Sequence, residues 1–196
     1  MKTISVYQPY NPLDKRNIGD SIVKALMEKN LENLPPEPFV AAGVYAIYYL
    51  GKNELYKHLS ETIPIYVGKA VPVGARKGNV GTADNQGKVL YNRLTEHADS
   101  IKAASNLELE DFRCRFIAVD DIWIPLAETL LIEKYKPVWN VVVDGFGNHD
   151  PGKGRYNQQR SLWDTLHPGR NWAEKLLPNK KSFDEAIQIV NRFFEI

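Results

Sequence analysis

Cysteine is nearly absent: the 196 residues contain one, Cys114. A lone thiol excludes an intrachain disulfide and any zinc cluster built from cysteines. Cys114 lies in the strand-like run Phe-Arg-Cys-Arg-Phe-Ile-Ala at 112–118, where a packed thiol is expected rather than a nucleophile. No apolar run approaches the ~20 residues that cross a bilayer. The first residues also lack the charged-then-apolar pattern of a leader, so no membrane association and a cytoplasmic location are expected. Net charge is scarce too, since 25 Lys and Arg against 24 Asp and Glu leave +1. The total by itself says nothing about a partner, because only local clustering can make a nucleic-acid surface. Internal repeats and low-complexity tracts are likewise missing.

What is present is ordinary globular material, 43% hydrophobic and 25% charged, enough for one domain with a buried core. The expected division of 1–196 is a helical arm at 1–38, a core at 39–143 with an inserted loop at 70–87, and an extension at 144–196. The core is organised around 43–69, where Gly43-Val-Tyr45 opens one strand-like run and Tyr66-Val-Gly68-Lys69 closes another. Strands are predicted at 43–50, 63–68 and 112–119 from their β-branched and aromatic content. Helices are predicted at 21–31 with Asp20 as N-cap, at 54–60, at 88–101 and at 123–135. Pro125 is tolerated in the first turn of the last of these, and Pro137 stops it. Pro35, Pro36 and Pro38 make an extended linker. A glycine-rich basic loop at 144–161 and turns at 166–170 precede a final helix, whose start carries the capping box Ser182-Phe-Asp-Glu185.

Polar groups sit in the middle of apolar helix faces. On the 88–101 helix, Leu90, Leu94 and Ile101 make a stripe; His97 lies inside it and Arg93 borders it one turn earlier. On the 123–135 helix, Glu128 shares a face with Leu131, Ile132 and Tyr135. A carboxylate there is costly unless it is paired or holds a metal. Taken singly, His97 is a satisfied core histidine, Glu128 a partner of an arginine such as Arg93 or Arg113, and the tyrosines strand packing. Taken together they point to a site.

The ordered set Gly43-Val-Tyr45, Tyr66-Val-Gly68, Lys69, Arg93-x-x-x-His97, Glu128 and Asn140 resembles the GIY-YIG nuclease superfamily over about 39–143. The resemblance implies an α+β fold, with a small three-stranded antiparallel sheet flanked by helices, carrying loop insertions and a C-terminal helical region. The inserted loop after Lys69, the Arg-to-His spacing and the Gly-Asn-His-Asp-Pro-Gly-Lys-Gly-Arg tail are similar to one branch. That branch is the Type II restriction endonucleases of this superfamily, typified by cutters of the GC-rich palindrome CCGCGG. Rival readings are a structure-directed repair or homing nickase, a non-catalytic DNA-binding module, and an α/β domain with no nucleic-acid role.

Phosphodiester hydrolysis needs an activated water, neutralisation of charge on the phosphorus, and a stabilised 3′ leaving oxygen. The resemblance assigns Tyr45 as general base, with Lys69, His97 and Arg93 as cations lowering its pKa and His97 able to take its proton. Tyr66 would contact the phosphate or the water, Arg93 would brace the non-bridging oxygens, and Asn140 would orient a tyrosine or the backbone. One well-placed carboxylate, Glu128, implies one Mg²⁺ per site, with Mn²⁺ as a substitute. Arg76, Lys77, Asn79 and Lys88 in the first loop, and Lys153, Arg155, Asn157, Gln158, Gln159 and Arg160 in the second, are candidate DNA contacts, as is Arg170. A palindromic double-stranded target implies a homodimer, with the N-terminal helix and the 70–87 loop as candidate contacts, and a protecting methyltransferase in the cell.

Overall fold

The run at 43–49 becomes a strand with every residue buried, and the rest of the chain is layered on its two faces. The computed structural model describes residues 10–11, 13–72 and 87–195. In order, its elements are α1 Lys15–Met27, β1 Glu32–Asn33, β2 Gly43–Tyr49, β3 Tyr66–Ala70, α2 Val89–Ala103, β4 Phe112–Ala118, α3 Ile124–Tyr135, α4 Val138–Val141, α5 Leu162–Leu166 and α6 Phe183–Phe194. The sheet runs β1-β4-β2-β3 and every pairing is antiparallel. The expected three strands are thus present, and the two-residue β1 adds a fourth at the edge.

Alternation along β2 splits the core into two layers. Tyr45, Ile47 and Tyr49 face a cluster holding Leu90, Leu94 and Ile101 of α2, Trp139, Trp163 and Val190 of α6. Val44, Ala46 and Tyr48 face the other cluster, with Val23 and Leu26 of α1 and Ile124, Ala127 and Leu131 of α3. A strand covered on both sides has no polar face, which is why 43–49 reads as a continuous apolar run. Gly43 is required by space: a Cβ there would lie 2.0 Å from the Ile117 carbonyl oxygen across the β2–β4 pair.

Several boundaries differ from expectation. The first helix starts at Lys15, not 21, because Asp14 is the N-cap, its carboxylate accepting from the Arg16 amide at 2.8 Å. It ends at Met27 because Glu32 and Asn33 leave to pair with Cys114 and Arg113. Asp20 lies inside the helix and pairs with Lys134 of α3. The expected helix at 54–60 is a single 3-10 turn, Glu54–Tyr56. The second strand begins at Tyr66, after Pro64, which has no amide to give a ladder. Helices α4 and α5 are too short to leave a periodic signal. Cys114 is packed as expected, and burial pushes its thiol up to about 12. The Ser182–Glu185 capping box is present with both bonds made. Among the described residues no helix is long and apolar enough to cross a membrane.

The position of the first N-cap is testable in urea. Asp14→Ala should cost about 1 kcal/mol, as loss of an N-cap does. Asp20→Ala, which removes only an exposed ion pair, should cost about 0.5 kcal/mol or less. The opposite order would restore Asp20 as the cap.

Candidate active site

The register of β2 on β3 sets the site. Tyr45 sits opposite Gly68, and Tyr66 sits opposite Ile47. A Cβ on Gly68 would lie 2.3 Å from the Tyr45 hydroxyl oxygen and 3.0 Å from Tyr66 Cε1. The glycine of the second half-motif is therefore the space that the first tyrosine's hydroxyl occupies. Helix α2 lies over this face and delivers His97 and Arg93. The Tyr45 hydroxyl and His97 Nε2 are 2.6 Å apart, both buried. Tyr66 is partly exposed, its ring 6.3 Å from that of Tyr45 and edge-on to His97 at 5.2 Å.

Electrostatics fix where the proton in the Tyr45–His97 bond resides. Burial raises the Tyr45 phenol well above its ordinary value; the neighbouring Tyr66 and Glu128 add to this and Arg93 opposes it. Burial lowers the His97 imidazole well below its ordinary value, and the positive charge of Arg93, a lesser contribution from His149 whenever it is protonated, and that of Arg170 push the same way. The phenol thus keeps its proton and donates it to a neutral imidazole. The expectation that Lys69, His97 and Arg93 act as three cations lowering Tyr45 is corrected here. His97 is uncharged, burial outweighs Arg93, and Lys69 points elsewhere.

Lys69 and Val67 alternate onto the opposite face of β3, towards α3. There the Lys69 ammonium donates to Glu128 Oε2 at 2.6 Å. Taken singly, Glu128 reads as a partner of an arginine such as Arg93 or Arg113; Arg93 instead bonds Glu96, and Arg113 donates to the Glu110 and Phe112 carbonyls. Glu128 remains within electrostatic reach of both tyrosines, since its charge raises both phenols. Asn140 stands at the free edge of β3, its Oδ1 accepting from the Val67 amide and its Nδ2 donating to the Val67 carbonyl, each at 2.8 Å. It takes the place of a neighbouring strand between Tyr66 and Gly68. Among the described residues no group of three His, Cys, Asp or Glu is placed to hold a metal. A single partly exposed carboxylate nevertheless suits Mg²⁺, which keeps several waters and uses one or two carboxylates beside substrate phosphate.

The segment 145–149 closes the site, a role that the sequence did not reveal. Phe146 stacks on His97 at 4.5 Å and meets Tyr66 edge-on at 4.9 Å. The Gly147 carbonyl accepts from Arg93 Nη2 at 2.7 Å. Arg93 Nη1 also bonds Glu96 at 2.9 Å and contacts His149 Nε2. His149 sits among turn-forming residues, with no periodicity to mark it; the signals were its place in the 147–155 tail that carries the resemblance and in a loop assigned to DNA.

The DNA-contact candidates divide. Lys88, Lys153, Arg155, Asn157, Gln158 and Gln159 are exposed, the 153–155 stretch forming a 3-10 turn. Arg160 is half-buried and donates to the Ala173 and Glu174 carbonyls, which ties it inward. Arg170 is corrected outright. Its guanidinium is buried, bonds Asp164 at 2.6 Å, and donates to the Gly145, Phe146 and Asn148 carbonyls. It also lies between the Trp163 and Trp172 rings at 4.5 and 4.6 Å. No donor is left facing solvent for a phosphate. Arg76, Lys77 and Asn79 lie outside the described residues.

A second buried pair, Tyr56 hydroxyl to His167 Nε2 at 2.6 Å, shows what the first would be without its surroundings. Trp139 Nε1 donates to Tyr56 and Asn106 meets His167 Nδ1; burial is the first cause at both residues, with Trp139 and Tyr49 as lesser ones at Tyr56. That pair is core structure. Arg93, the Gly68 gap and the partly exposed Tyr66 distinguish Tyr45–His97 from it.

The family model described as the Eco29kI GIY-YIG domain matches residues 37–194. No curated protein matches the chain.

Two outcomes follow from the buried groups. Arg170→Ala should lower unfolding free energy by about 3–5 kcal/mol, because it strands Asp164 in the interior. Urea unfolding followed by tryptophan fluorescence measures this; unchanged stability with weakened DNA binding would restore the surface role. His97 and His167 are both neutral when folded, the latter lowered by burial to about 3. Unfolded histidines protonate near pH ~6.5, so below that pH the unfolded chain binds more protons and stability is lost. Each contributes a slope of about 1.4 kcal/mol per pH unit. Between about pH 6 and 5 these two groups should contribute about two protons to the uptake on unfolding, and His167→Gln should lower the uptake by about one.

Proposed function

The chain belongs to the Eco29kI GIY-YIG family and is thereby a nuclease acting on DNA, and from that premise we propose that it is a Type II restriction endonuclease. The observation that carries the catalytic part of this reading is the short Tyr45–His97 bond beside Arg93 and Tyr66. The substrate is a short, GC-rich palindrome in duplex DNA, cut by a homodimer so that each site hydrolyses one strand. A methyltransferase protecting the same sequence is its functional partner in the cell.

The chemistry needs no free phenolate. A water at the Tyr45 oxygen loses its proton to that oxygen as Tyr45 passes its own proton to His97 Nε2. The water oxygen bonds to phosphorus, the bond from phosphorus to the 3′ oxygen breaks, and that oxygen leaves with a proton from solvent. His97 is a weak base while its neighbours are cationic and its surroundings dry. A phosphate entering beside Arg93 brings the negative charge that favours an imidazolium. Arg93 offers a planar fork for the non-bridging oxygens, and the partly exposed Tyr66 donates to the same group. Lys69 lends positive charge from the other face of β3. Glu128 would hold the divalent ion, which supplies charge neutralisation at the phosphate and the leaving oxygen. Lys88, Lys153, Arg155, Asn157 and Gln158 make the DNA contacts, together with Arg76 and Lys77 of the first loop.

Plasmid digestion with and without Mg²⁺, followed by sequencing of the ends, tests the reading. Tyr45→Phe keeps the ring and removes only the hydroxyl, and should slow cleavage about 10²-fold or more. Glu128→Ala should abolish cleavage and leave DNA binding intact. Full activity in either variant would sink the mechanism, and nicking confined to branched DNA would replace the restriction role with structure-directed cutting.

A further inference from the structure

Arg93 is held at both ends of its guanidinium, but by partners of different kinds. Glu96 lies one turn along the same helix, so it moves with Arg93 and cannot fix it relative to the rest of the site. It is also an anion and competes with phosphate for the same charge. The Gly147 carbonyl and His149 come from the separate segment that stacks Phe146 on His97. A Cβ on Gly147 would lie 2.7 Å from the Tyr66 hydroxyl oxygen and 3.1 Å from Arg93 Nη2, so these two phosphate-facing groups meet over that glycine. An arginine donates only, so the imidazole must accept from Nη1 through an unprotonated Nε2. An uncharged acceptor orients the fork without cancelling its charge.

His149 also stands between two cavities. One, of about 190 Å³, is lined by Arg93, His97 and Phe146. The other, of about 350 Å³, is lined by Arg155, Gln158 and Gln159 of the exposed basic loop. Asn148, His149 and Asp150 line both. The residue therefore joins the proposed DNA-reading loop to the phosphate-bracing arginine. Its side chain is 63% exposed, so it carries little of the core.

Resting on the nuclease reading above, we propose that His149 is a positioning residue: it sets the plane of the Arg93 guanidinium against the scissile phosphate and links that setting to engagement of the 150–158 loop by DNA. Glu96 cannot replace His149 in this, because it lies on the same helix as Arg93 and not on the loop.

The test uses the full chain and a duplex containing the site found by end sequencing. Single-turnover cleavage, duplex Kd and thermal midpoint are measured for wild type, His149→Ala and His149→Gln. His149→Ala should cut about 10-fold to 100-fold more slowly, as sub-ångström misplacement of a catalytic group does, with Kd and midpoint close to wild type. His149→Gln, whose side-chain carbonyl accepts from the same N–H, should recover most of the rate. The proposal is overturned if His149→Ala cuts at the wild-type rate, if its Kd rises or its midpoint falls in step with the loss of rate, or if Gln is as poor as Ala. Wild-type protein that cuts no duplex overturns the nuclease reading itself and this inference with it; an active wild type with an equally active His149→Ala overturns this inference alone.

Discussion

One buried guanidinium ties the C-terminal extension to itself and so fixes the segment that lies over the catalytic face. Arg170 meets the Asp164 carboxylate and three loop carbonyls, from Gly145, Phe146 and Asn148, between two tryptophan rings. Peptide carbonyls turned inward are costly unless a donor reaches them, and a loop has no ladder to supply one. Arginine is the side chain with enough donors, in a plane that fits between aromatic faces. The segment it pins is the one that covers His97 with Phe146 and hands Gly147 and His149 to Arg93. The extension is thus part of the site's wall.

A second constraint is the absence of a side chain. Tyr45 on a central strand needs somewhere to put its hydroxyl, and the cross-strand partner, Gly68, leaves that place empty. Gly147 does the same for Tyr66 and Arg93 from the opposite side. The two tyrosines, the histidine and the arginine can converge only because backbone, not side chain, lines the gap between them.

Much of this was legible in the chain. Long amphipathic or fully buried elements carry strong patterns, so β2, α2, β4 and α3 appeared within a residue or two of their places. His97 and Glu128 stood out because a polar group within an apolar stripe must have a partner. Which partner was not legible. Glu128 meets Lys69, not an arginine, because the side of β3 on which Lys69 emerges depends on register, and register is a property of paired strands. Charge state was illegible for the same reason: burial, which only packing decides, outweighs the nearby cation at Tyr45. Arg170 was misplaced because loop residues lack periodicity, so an arginine in a turn looks alike whether it faces solvent or serves buried carbonyls.

The site divides its work across one edge strand. On the α2 face of β3, Tyr45 and His97 form a neutral pair in a dry setting, suited to moving a proton between them without building a lasting charge. On the α3 face, Lys69 and Glu128 form an ion pair that is partly open to solvent, with 36% and 21% of the side chains exposed. Merging the two would damage both functions. An ammonium beside Tyr45 would pull the phenol's pKa down and weaken its hold on the proton it passes on, whereas burying Glu128 would impose a desolvation penalty on its charge and on any ion it meets. The backbone of β3, braced by Asn140 at Val67, keeps the two settings distinct while leaving Tyr66 and Gly68 at the boundary. A phosphate lying along that edge would touch both.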